Sequence, residues 1–176
     1  MINPRHFEKL SRLHREASPR FYADDDVIVG AGKARVAHPV GDQDLDASGR
    51  VDASVYHKML ADAATLAAGS LVEDRFVAVS SFNYFATHMV ETGKLLAAAQ
   101  VVHARALSFT VNTVLTDESG RVLAVGYGIY SPGPVGLDEP EAGAPGEPEA
   151  ESPEVSDLFN VYGNFLDTPF GPVSLN

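Results

Sequence analysis

The sequence predicts an α+β protein in which an antiparallel β-sheet packs on one long, buried central helix, and three observations carry that reading. Apolar residues make up 45% and charged residues 21% of the 176-residue chain, the range of a globular domain with a real hydrophobic core. The strongest helical periodicity, over residues 53–71, sets Val55, Met59, Leu60, Ala63, Leu66 and Ala67 at helical spacing, while Ala61, Ala64, Ala68 and Gly69 add little bulk. A helix so small-sided can be approached closely from several directions, which marks it as central. The stretch that follows it, as far as residue 130, is rich in β-branched and aromatic residues and reads as strand.

Taken in order, residues 3–16 form a short amphipathic helix, with Phe7, Leu10 and Leu13 on one side and Lys9, Arg12 and Arg15 elsewhere, expected to dock on the main fold. Residues 27–29 and 34–37 read as one strand interrupted at Gly30 and Gly32 by a bulge or sharp twist. Residues 42–52 are polar and turn-like and precede the long helix. Four strands follow. Residues 76–90 carry Phe76, Ala78, Ser80, Phe82 and Tyr84 on one expected face, Gly93-Lys94 makes a turn, and residues 95–105, 107–116 and 122–130 complete the set, with Asp117-Glu118-Ser119-Gly120 as a hairpin loop. Links this short predict that consecutive strands are antiparallel neighbours.

From residue 131 the composition shifts to Pro, Gly and Glu and reads as a linker. The expected organisation is therefore a docked N-terminal helix (1–20), the α+β domain (21–132), an acidic Pro/Gly-rich linker (133–154) and a C-terminal segment (155–176). That last segment regains Leu158, Phe159, Val161, Tyr162, Phe165 and Leu166, so it is expected to pack on the body or on a neighbouring subunit.

The formal net charge is −11, but nine of the 24 carboxylates and none of the 13 Lys and Arg residues lie in residues 133–176. The body is thus nearly neutral and tolerates an anionic ligand, whereas a non-specific nucleic-acid role is disfavoured, because neutralising phosphates needs clustered Lys and Arg. No apolar run approaches the length that spans a bilayer, so a cytoplasmic protein without membrane partners is expected. With no cysteine, disulfides, Cys-ligated metals and thiol nucleophiles are excluded by counting. The six histidines show no metal-binding spacing, and no nucleophile elbow, P-loop or dinucleotide fingerprint occurs, so no metal and no cofactor is expected. Lys94, His103 and Arg105 read as edge-protecting strand residues, with contact to the phosphates of an anionic ligand as the alternative.

Residues 36–64 are the most informative stretch. Asp42, Asp44 and Asp46 alternate as in a calcium loop, but Ala47 and Ala53 stand where such a loop needs Gly and a bidentate Glu. Instead, Asp44-Leu45-Asp46-Ala47-Ser48-Gly49-Arg50-Val51, followed by Tyr56 and the helix with Leu60-Ala61-Asp62-Ala63, resembles the motif of 4-hydroxybenzoyl-CoA and acyl-ACP thioesterases, which are hotdog-fold enzymes. The strand, helix, four-strand order resembles the hotdog order over residues 27–131. This resemblance implies a sheet wrapped around the helix, an acyl-CoA or acyl-ACP substrate as in fatty acid metabolism, and assembly as a dimer or tetramer.

Carried over by position, the resemblance makes Asp46 the nucleophile or general base and Tyr56 a shaper of the acyl pocket. Gly49 belongs to the matched loop, backbone N–H groups from Asp52, Ala53, Ser54 and Val55 are the expected oxyanion donors, and Met59, Phe82 and Tyr84 are expected pocket walls with Tyr56. Arg50 stands where the family carries His, and Asp52-Ala53 where it carries an Asn pair, although Asp52 suits a helix N-cap. A second hotdog branch, the phenylacetate-pathway thioesterases, carries its acid on the helix; the segment around Asp62 resembles that pattern, but Ala53-Ser54-Val55 replaces the companion His-Gly-Gly. Asp62 is therefore the second candidate, weighed against a solvated or interface carboxylate. The competing function is a non-catalytic acyl-CoA-binding hotdog protein, a ligand sensor or structural dimer.

Overall fold

The computed structural model describes residues 4–19, 21–22, 26–105 and 107–137. The expected linker from residue 138 onward and the C-terminal segment lie outside the described residues. Helix α1 (Pro4–Ala17) is followed by β1 (Val27–Gly30), β2 (Lys33–Pro39), a single 3-10 turn (Asp42–Asp44), helix α2 (Ala53–Gly69), β3 (Arg75–Ala86), β4 (Lys94–Arg105), β5 (Ser108–Thr116) and β6 (Val122–Gly136). All strand pairs are antiparallel, in the order β1-β2-β4-β5-β6-β3. Helix α2 touches all six strands, so the sheet wraps around it as the resemblance implies.

The small side chains of α2 make that wrapping possible. Tyr56, Met59, Leu60, Ala63, Ala64 and Ala67 are fully buried and meet Val36, Leu95, Ala97, Val111 and Leu115 on the concave side of the sheet. Two glycines of β6 draw the sheet in further. A Cβ on Gly128 would lie 2.6 Å from the Tyr130 ring and 2.8 Å from Phe82, and one on Gly126 would collide with the Thr113 hydroxyl. Only residues without side chains there leave room for Phe82, Tyr130 and Thr113.

Helix α1 runs back along α2. His6 Nε2 meets the Gly69 carbonyl at 2.9 Å, Leu10 is buried beside Gly69, and His14 lies near Asp62. The imidazole also satisfies one of the carbonyls that every helix leaves open at its C-terminus.

Four expectations are corrected. The segment with Gly30 and Gly32 is a hairpin of two strands: Gly30 pairs with Lys33, and Gly32, at φ +66, makes the turn, its N–H donating to the buried Ser70 Oγ at 2.7 Å. Strand β3 is not a neighbour of β4. It ends at Ala86, and residues 87–93 cross the end of the sheet past the β5–β6 hairpin, because α2 fills the concave side and β6 takes the pairing with β3. The expected β3 face is also broken. A bulge between Val79 and Ser81 changes the phase, so Val77, Val79, Phe82 and Tyr84 pack towards the core while Phe76 is 41% exposed. Finally, β6 runs to Gly136 instead of ending at Tyr130. Beyond the Phe109–Tyr130 pair it has only β3 beside it, and a strand with one neighbour tolerates Pro132 and Pro134.

Candidate active site

An isolated bridge between Leu45 and Val51 closes the loop that carries Asp46. Asp46 Oδ1 accepts from Ser48 Oγ at 2.6 Å, from the Ser48 N–H at 2.7 Å and from the Arg50 N–H at 3.2 Å. Gly49, at φ +78, supplies the left-handed turn residue, and its N–H donates to the Asp46 carbonyl. The Ser48 hydroxyl, followed by the Arg50 and Ser48 amides, holds the Asp46 carboxyl below its ordinary range. Its second oxygen takes no hydrogen bond among the described residues.

Beneath this loop lies a buried pair that sequence reasoning missed. Asp44 Oδ2 lies 2.7 Å from His38 Nε2 and accepts from the Gly41 N–H at 2.8 Å, while His38 Nδ1 faces the Phe21 carbonyl at 2.8 Å. Phe21 stacks on the imidazole, with ring centroids 3.8 Å apart. Both ring nitrogens of His38 thus face oxygen atoms, which fixes the plane of the imidazole between Phe21 and Asp44. The Asp44 carbonyl also accepts the Asp52 N–H at 2.7 Å, which ties the loop to the start of α2.

Asp52 caps α2 as expected, accepting from the Ser54 N–H at 2.8 Å. This cap restricts the proposed oxyanion donors. The Ser54 N–H is held by the Asp52 side chain, the Val55 N–H by the Asp52 carbonyl and the Asp52 N–H by Asp44; of the four, the Ala53 N–H alone is left without an acceptor among the described residues.

The expected pocket walls divide into two groups. Tyr56 and Met59 are fully buried core residues, and the Tyr56 hydroxyl accepts from the Val90 N–H at 3.2 Å. Phe82 and Tyr84 are half-buried beside the first turns of α2, where the Tyr84 hydroxyl donates to the Ala53 carbonyl at 3.2 Å. The exposed His57 lies 5.6 Å from the Phe82 ring and 5.5 Å from the Tyr84 ring. A metal-spacing test of histidines passes over both His57 and His38, because their partners are aromatic rings and a carboxylate rather than other ligands.

Asp62 sits nine residues along α2 from Ala53, about 14 Å by helical rise, so the two candidate acids are not brought together. It is neither solvated nor at an open face. Its Oδ2 accepts from Tyr22 Oη at 2.7 Å and from Lys58 Nζ at 2.8 Å, with His14 Nε2 at 3.4 Å. The His14 nitrogen is buried and makes no aligned hydrogen bond, so Asp62 is the polar group it faces. Burial raises the Asp62 carboxyl, but His14 and Lys58 outweigh it and the net shift is downward. Burial, and then Asp62, push the Tyr22 phenol upward, so it stays a donor.

Solved structures share this architecture. The PaaI protein of E. coli, from its phenylacetic acid degradation operon, superposes with a TM-score of 0.61 at 17% identity, covering 72% of this chain and 96% of that one. A conserved protein of Pseudomonas aeruginosa gives 0.58 at 21% identity over 61% and 86% of the two chains. A thioesterase of Haemophilus influenzae gives 0.56 at 17% identity over 64% and 80%. No family model and no curated protein matches the sequence. At these identities the likeness defines the class by architecture: the chain has the hotdog fold.

Proposed function

We propose that the protein is an acyl-thioester hydrolase acting on acyl-CoA or acyl-ACP, with Asp46 as its catalytic carboxylate. The observation that carries this reading is the state of Asp46: an ionised, partly exposed carboxylate with one oxygen left over, on the loop that leads into α2. As general base, Asp46 takes a proton from water while the oxygen adds to the thioester carbonyl, the Ala53 N–H meets the developing oxyanion, and collapse expels the thiolate, which regains the proton. As nucleophile, the same oxygen adds to the thioester carbonyl and expels the thiolate, forming a mixed anhydride; water then opens it, releasing the carboxylic acid and restoring the Asp46 carboxylate, while the displaced proton goes to the thiolate. Phe82, Tyr84 and His57 offer an aromatic surface for the acyl group. Asp62 is the weaker candidate, because Tyr22 and Lys58 already occupy it. The proposal includes a cytoplasmic protein that assembles as a homodimer or tetramer; assembly is supported by the outer edge of β3, which no described strand pairs, and by the exposed Phe76 on that strand.

One observation favours the alternative of a non-catalytic acyl-CoA binder: Asp52 and its neighbours engage three of the four N–H groups that an oxyanion hole would draw on. Hydrolysis of short, medium, long and aromatic acyl-CoAs by the full chain distinguishes the two. The hydrolase turns over at least one of them, and Asp46→Asn lowers its kcat on the order of 100-fold or more. Micromolar binding of an acyl-CoA without turnover transfers the assignment to the binder.

A further inference from the structure

Among the described residues, none of the six strands contains an Asp or Glu, in a chain with 24 carboxylates. The side of the sheet facing away from α2 therefore differs from the rest of the molecule. Register places Ile28, Arg35, Ala98, Val114, Val125 and Phe85 in one row across it, with Lys33 in the next row and Arg105 at the far end of β4. Ile28 is 50%, Val125 45% and Phe85 69% exposed. Lys33, Arg35 and Arg105 are exposed and form no ion pair with a described carboxylate; Arg105 donates only to His103 Nε2, at 3.0 Å. Small Ala98 and Gly30 sink the surface between Ile28, Arg35 and Val114 into a trough of about 550 Å³.

We propose that this outer face is a docking surface for an acidic polypeptide, which seats an apolar side chain in the trough and carboxylates on Lys33, Arg35 and Arg105. Charge complementarity selects the occupant. A second copy applied face to face brings cations against cations, with no strand carboxylate on either side to compensate. A nucleic acid is held through the number of cations it meets, and three within a net charge of −11 are too few. The exposed apolar row contributes nothing to phosphate binding, whereas it is what a protein partner covers. None of the residues the proposal uses belongs to the acid loop or to the proposed acyl site, so this inference does not depend on the thioester chemistry.

The test is titration of the full chain with a glutamate–tyrosine copolymer at low and moderate salt, beside a DNA duplex and phosphatidylglycerol vesicles. The copolymer is expected to bind, more weakly as salt rises, and Lys33→Glu with Arg35→Glu to weaken it by about tenfold or more. The milder pair Lys33→Gln and Arg35→Gln weakens it in the same direction, as does Ala98→Trp, which fills the trough without altering charge. Arg75→Glu, at a residue paired with Asp74, leaves it unchanged, and circular dichroism verifies that each variant is folded. Absence of copolymer binding, binding indifferent to the Lys33, Arg35 and Ala98 variants, or preferential binding of DNA or vesicles through those residues overturns the proposal.

Discussion

Asp44 and His38 hold the acid loop from below, and their contribution is testable as stability. Asp44→Ala leaves a buried imidazole and the Gly41 N–H without their acceptor, so a loss of about 3–5 kcal/mol is expected in denaturant unfolding. Asp44→Asn, which keeps an acceptor, should recover part of it. Thr113 offers the opposite case, because its hydroxyl is buried without a partner. Thr113→Val should be neutral or stabilising by up to about 1 kcal/mol. The Asp44–His38 pair was hard to read in the sequence, since six residues separate the two and the contact exists only once the intervening turn folds back. Asp46 and Asp52 were easier, because both act on residues two to four positions away.

At the scale of elements, the docking of α1 rests partly on charge. The Asp62 carboxyl is lowered in the folded protein, so the stability it contributes is present above the unfolded value of about 3.9 and is lost as pH falls through the lower folded value. The difference in melting temperature between wild type and Asp62→Asn should therefore be largest above about pH 4 and shrink in stronger acid. Tyr22→Phe should cost about 1.5–3 kcal/mol by removing one hydrogen bond to the same charged carboxylate. In β6, Gly128→Val should lower stability by about 1–3 kcal/mol, because the added side chain drives into Phe82 and Tyr130. Helix α2 was legible from the period of its apolar residues. The order of strands was not: β3 and β4 are consecutive in sequence yet lie apart in the sheet, a consequence of wrapping around α2 that local periodicity does not encode. The continuation of β6 past Tyr130 was hidden for a similar reason, since prolines forbidden in a central strand are allowed where only β3 remains as a neighbour.

For the whole molecule, acidity is unevenly placed: the strands carry none of it, and residues 133–176 hold nine acids with no base. The proposed assembly predicts a sedimentation mass of two or four chains, and a monomer at micromolar concentration would contradict it. The central claim, that the loop carboxylate does the chemistry and the helix carboxylate holds the fold, is tested most directly by measuring turnover and melting temperature together for Asp46→Asn and Asp62→Asn. The account predicts that Asp46→Asn lowers acyl-CoA hydrolysis on the order of 100-fold or more with little change in melting, while Asp62→Asn melts earlier and retains turnover within a few-fold of wild type. Full activity in Asp46→Asn, or loss of activity in an Asp62→Asn that melts like the wild type, would contradict it.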